Sequence, residues 1–183
     1  VFSHLFSVIE SVQDCPEKDR AIAAVILRRL LTKANKSTTD PTIIFLTCSQ
    51  QVQLDCKARM LNAFGNETST KVREQIMHAL ILLCTKHVCA PTGAGGDDDV
   101  ATSYAEHNWP ELIAGCMTMC TTENDVEKKC CGLDMLAELV DVYQQHIMKG
   151  DNEVKSLLQH CVQDQDFRIR TKAIFVIVQI VTT

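Results

Sequence analysis

Four stretches of the chain open alike, with a small polar or acidic residue followed three positions later by Val or Ile: Asp19 and Ile22, Ser69 and Val72, Glu123 and Val126, Asp166 and Ile169. Behind each opening, apolar residues recur every three or four positions. One row runs through Ile22, Ile26 and Leu30, and a second through Val72, Ile76, Leu80 and Leu83. A third runs through Val126, Cys130, Leu133, Ala137, Val140 and Ile147, and a fourth through Ile169, Ala173, Val176 and Ile180. That spacing is one face of an α-helix. The polar opener suits the helix start, where it caps free N–H groups or complements the dipole.

Ahead of each such helix the pattern predicts another. Phe2, Leu5, Phe6, Ile9 and Val12 make one face; further amphipathic stretches lie within Pro41 to Phe64, from Trp109 to Cys120, and from Glu153 to Val162. Turns are expected at Gln13–Lys18, Gly65–Ser69, Thr121–Asn124 and Gln163–Asp166. The aligned residues Ile22, Val72, Val126 and Ile169 lie 50, 54 and 43 positions apart. Two-helix repeats of the HEAT and armadillo classes run ~40–47 residues, so the last spacing fits and the earlier ones carry insertions. The expected fold is all-α: a HEAT-repeat, armadillo-like α-solenoid of about four antiparallel helix pairs. It reads as a single domain over 1–183, with repeats near 1–36, 41–90, 107–148 and 151–183 and a loop insertion at 91–106. The stretch Ala173 to Val181 is apolar nearly all round, as a helix sandwiched between neighbours would be. Its β-branched residues also suit a strand; the regular row from Ile169 favours a helix.

Composition narrows the picture. Only 7 Gly and 4 Pro occur in 183 residues, few for a protein of many short strands. Three of the glycines, with Pro91 and the run Asp97-Asp98-Asp99, fall between Ala90 and Val100, a solvated loop composition without the spacing of a calcium loop. A net charge of −5 argues against a phosphate-backbone binder. Ten cysteines are many, but Cys84, Cys116, Cys120, Cys130 and Cys161 lie inside apolar helical stretches, where Cys acts as a small hydrophobe. Cys84, His87 and Cys89 invite a metal reading, yet no second ligand pair follows at zinc spacing. Unpaired thiols point to a reducing compartment. No apolar run reaches the ~18 residues of a membrane span. The first residue is Val1, already inside an amphipathic pattern, and the chain reads as an excerpt of something longer.

Catalytic signatures are missing: there is no GxSxG, HExxH, phosphate-cradling loop or GxGxxG, and the six histidines are scattered, so no catalysis, cofactor or metal is expected. The more telling feature is acidic. Glu127, Asp134, Glu138 and Asp141 share one stripe of the third opening helix. A solvated face accounts for such a stripe; so does a strip that steers and holds a basic partner. The basic residues Arg28, Arg29, Lys33 and Lys36 fall near a helix end, where cations complement the dipole.

Three segments carry a family resemblance. Arg20-Ala-Ile-Ala-Ala-Val-Ile-Leu-Arg-Arg-Leu-Leu31 resembles the second helix of an early HEAT repeat in importin-β (karyopherin-β) receptors. Asn108-Trp-Pro-Glu-Leu-Ile113 is similar to the opening of a later first helix in that family. Leu158 to Asp166, followed by Arg168-Ile-Arg-Thr-Lys-Ala173, resembles the next repeat of the importin beta-3 (importin-5) subfamily. The resemblance implies an N-terminal part of a nuclear transport receptor, shuttling between cytoplasm and nucleus. Its implied partners are Ran-GTP on the inner helices, cargo with basic localisation signals, and nucleoporin Phe-Gly repeats between outer helices, with neither nucleic acid nor membrane. The other reading is a HEAT scaffold of the phosphatase-regulatory, translation or chromatin type.

Overall fold

The computed structural model describes residues 1–33, 44–88, 109–149 and 152–182, and for residues 32, 44, 46, 85–88, 141–149 and 152 it describes the backbone alone. Among the described residues there are eight α-helices and no strand. They are α1 (Phe2–Glu10), α2 (Glu17–Thr32), α3 (Gln50–Asn66), α4 (Thr70–Val88), α5 (Pro110–Cys120), α6 (Val126–Lys149), α7 (Asn152–Cys161) and α8 (Phe167–Thr182), with a 3-10 turn at Ile44–Thr47. The fold is all-α, built of consecutive helix pairs as in an α-solenoid. The chain divides into two compact units, Val1–Leu83 and Cys84–Thr183, and α4 runs across the division. The insertion expected at 91–106 and the repeat junctions near 36–41 and 107 lie outside the described residues.

Short turns place partners side by side. In the first unit α1 packs on α2 and on α3; in the second, α5 packs on α6, α7 on α8, α5 on α7 and α6 on α8. First helices thus stack on first helices and second on second, so the second unit has two layers. Each pair leaves an apolar face that only its neighbour covers, the reason such repeats are stable only when stacked.

The expected rows hold in two of the four helices. Val72, Ile76, Leu80 and Leu83 of α4 are all buried. Ile169, Ala173 and Val176 of α8 are buried as well, with Ile180 half-buried. In α6 the row is part of something wider: Cys130, Leu133 and Val140 are buried, but so are Met135, Leu136 and Leu139. A helix touched by both α5 and α8 needs apolar residues around most of its circumference. Ile147 lies outside the described side chains.

The row in α2 is corrected. Ile22 and Ile26 are 48% and 42% exposed, and the buried residues are Ala23, Ala24, Leu27 and Leu31, with Arg20. Both sets repeat at helical spacing, and at 100° per residue their centres lie about 115° apart. Periodicity alone therefore left the rotation open. Small alanines let α2 approach closely, and the Arg20 side chain fixes its rotation as described below.

The openers divide between the two expected roles, and one is corrected. Asp19 lies within the first turn of α2, after Pro16, where it complements the dipole without capping. Ahead of α6 the cap is Asp125, not Glu123: its Oδ1 accepts the Lys128 N–H at 2.8 Å, and Asn124 just before it takes the left-handed φ of 59°. Ser69 and Asp166 do cap, accepting the Val72 N–H at 3.5 Å and the Arg168 N–H at 2.8 Å. Gly65, expected in a turn, sits inside α3. Pro110 occupies the first position of α5, where its missing N–H costs nothing, behind a buried Trp109.

One glycine decides how closely α5 and α6 approach. A Cβ on Gly132 would stand 2.8 Å from Cys120 Sγ, 2.9 Å from the Cys116 carbonyl oxygen and 3.1 Å from Met119 Cβ. Two of those neighbours belong to α5 backbone or its stem and cannot swing aside. Gly132→Ala is therefore expected to destabilise the protein by about 1–3 kcal/mol, despite the better helix propensity of alanine. Thermal unfolding followed by circular dichroism checks this; a raised melting temperature would contradict the close approach.

Candidate functional site

The acidic stripe of α6 lies along its edge with α8. Glu127 Oε1 accepts a hydrogen bond from Arg168 Nη1 at 2.5 Å, and Asp134 Oδ1 accepts one from Lys172 Nζ at 2.5 Å. Arg168 also reaches Asp166 Oδ2 at 3.2 Å, and its two carboxylate partners push the guanidinium above its ordinary value, Asp166 more than Glu127. Glu138 is exposed and has no ion pair among the described residues. Asp141 lies in α6, outside the described side chains. The structure thus brings Glu127 and Asp134 together with cations from the neighbouring helix. Glu127, Asp134, Glu138 and Asp166 against Arg168 and Lys172 still leave the edge acidic by two charges. All four paired side chains of α6 and α8 are more than a third exposed, so each bridge contributes little, roughly 0–1 kcal/mol.

The strongest polar geometry is elsewhere. Glu67, in the turn between α3 and α4, is 2% exposed, and Arg20 of α2 is 5% exposed. Arg20 donates through Nε to Glu67 Oε2 at 3.0 Å and through Nη2 to Oε1 at 2.9 Å. Its Nη1 donates to the carbonyl oxygens of Val12 at 3.2 Å and Cys15 at 2.5 Å. The Ser69 N–H donates to Glu67 Oε1 at 2.8 Å, and Arg73, also buried, donates through Nε and Nη2 to the Glu67 carbonyl oxygen. The Glu67 bond pushes the Arg20 guanidinium above its ordinary value against the opposing effect of burial. One buried carboxylate thus ties the α1–α2 turn to the α3–α4 turn.

The second unit repeats the device. Lys129 Nζ of α6 donates to Asp164 Oδ2 at 2.9 Å; the Asp166 N–H donates to Asp164 Oδ1 at 2.9 Å; and Arg170 Nη1 donates to the Asp164 and Gln165 carbonyl oxygens, each at 2.8 Å. The Asp166 N–H first, then Lys129, hold the Asp164 carboxyl below the usual carboxylate range. Glu67 and Asp164 each stand five residues before the aligned apolar residue (Val72, Ile169) and Arg73 and Arg170 one after it. Sequence reasoning aligned Val72 with Ile169 but missed these flanking residues. The recurring acid five positions ahead and arginine one behind was the available signal. A third bridge, from Arg59 to Glu10 at 3.0 and 2.5 Å with the guanidinium over the Phe6 ring, holds α3 to α1.

The thiols fill space. Desolvation by burial raises Cys116, Cys120, Cys130 and Cys161, and pushes Cys56 up to about 11. A thiol so shifted carries almost no nucleophilic thiolate at neutral pH. Among the described residues no three His, Cys, Asp or Glu side chains gather as metal ligands do. Cys84 is buried, while His87 and Cys89, the rest of that grouping, lie outside the described side chains. No helix among the described residues is long and apolar enough to cross a membrane.

Residues 99–183 match the family model described as IPO5-like, TPR repeats. This stretch is similar to an importin-5-like repeat region. It spans α5 to α8, including the acidic edge and the Asp164 clamp. No curated protein matches the chain. An engineered protein of known crystal structure is similar with a TM-score of 0.46 and 12% identity, over 97% of this chain and 62% of that one.

Replacing Glu67 by Ala leaves the Arg20 guanidinium buried and unpaired, so Glu67→Ala is expected to cost about 3–5 kcal/mol. Urea unfolding measures it. A loss below about 1 kcal/mol, the range of an exposed pair, would remove Glu67 from its central place.

Proposed function

We propose that the chain is a binding element of a nuclear transport receptor, engaging Ran in its GTP form and supporting import of cargo with basic localisation signals, with nucleoporin Phe-Gly repeats as a further partner. The observation that carries the reading is the importin-5-like match over residues 99–183. The resemblance of Arg20 to Leu31 to an early receptor repeat extends it to the first unit. The α6 edge adds a chemical reason: an excess of carboxylate along one exposed edge of a largely buried helix attracts a basic surface and speeds its encounter. Binding, not catalysis, is the activity, and the receptor works in cytoplasm and nucleus, with neither nucleic acid nor membrane as partner.

A second reading has its own observation. Glu127 and Asp134 are engaged with Arg168 and Lys172 of the same unit. An acidic stripe that serves to join α6 to α8 fits a generic HEAT scaffold equally well.

Binding to Ran loaded with a non-hydrolysable GTP analogue, against Ran loaded with GDP, separates the two. The receptor reading expects preference for the GTP form and a loss of at least about tenfold on Glu138→Lys with Asp141→Lys, a pair of changes that leaves the bridges of Glu127 and Asp134 in place. Equal binding of both forms, or none, makes the scaffold the better account.

A further inference from the structure

We draw no further inference here: the strongest candidate, the cluster of thiols that Cys116 and Cys120 of α5 make with Cys130 and Cys131 of α6, carries nothing beyond the packing already described, because burial holds Cys116, Cys120 and Cys130 in the thiol form and no three metal-ligating side chains gather among the described residues.

Discussion

A buried carboxylate held by a single arginine is the constraint from which much of the first unit follows. Glu67 has almost no contact with water, so its charge is tolerable only while Arg20 holds both oxygens and the Ser69 N–H joins them. That requirement fixes the rotation of α2, because Arg20 must face the α3–α4 turn. The rotation then decides which side of α2 is buried: Ala23, Ala24, Leu27 and Leu31 go inward, and Ile22 and Ile26 go out. A polar contact has here overruled the larger side chains. Apolar burial is gained on either side of a helix that carries two rows, but an ion pair of this geometry exists in one orientation only.

How far the sequence predicts the structure varies from helix to helix for physical reasons. The row of α4 is legible because one set of positions is clearly the more apolar, and a 3.6-residue period then has one answer, whereas α8 is apolar nearly all round and its buried row, Ile169, Ala173 and Val176, lies on the one side that meets α6. In α2 two rows compete, and the arbiter is Glu67, 47 residues away, which no local pattern reports. Helix starts depend on a single side-chain oxygen, so Asp125 and Glu123 are hard to tell apart before the left-handed Asn124 is known. The acidic stripe was legible as spacing, but its pairing was not, because Arg168 and Lys172 belong to a later helix. Gly132 carries no sequence pattern; only the approach of α5 explains it.

The α6–α8 edge is where structure and function compete. Its bridges are exposed and weak, so a basic partner displaces or shares them at little cost to the fold. The clamp at Lys129 and Asp164 is more enclosed, and it holds the turn while the outer edge remains open to exchange.

The central claim is that the acids of the α3–α4 and α7–α8 turns, each clamped by a cation from an earlier helix pair, couple successive repeats. Double-mutant cycles test it most directly, run on Arg20 with Glu67 and on Lys129 with Asp164, with the exposed pair Glu127 and Arg168 as the reference. The account predicts coupling of about 1–3 kcal/mol in both clamps and under about 1 kcal/mol in the reference pair. Coupling in the clamps no larger than in the exposed pair would contradict it.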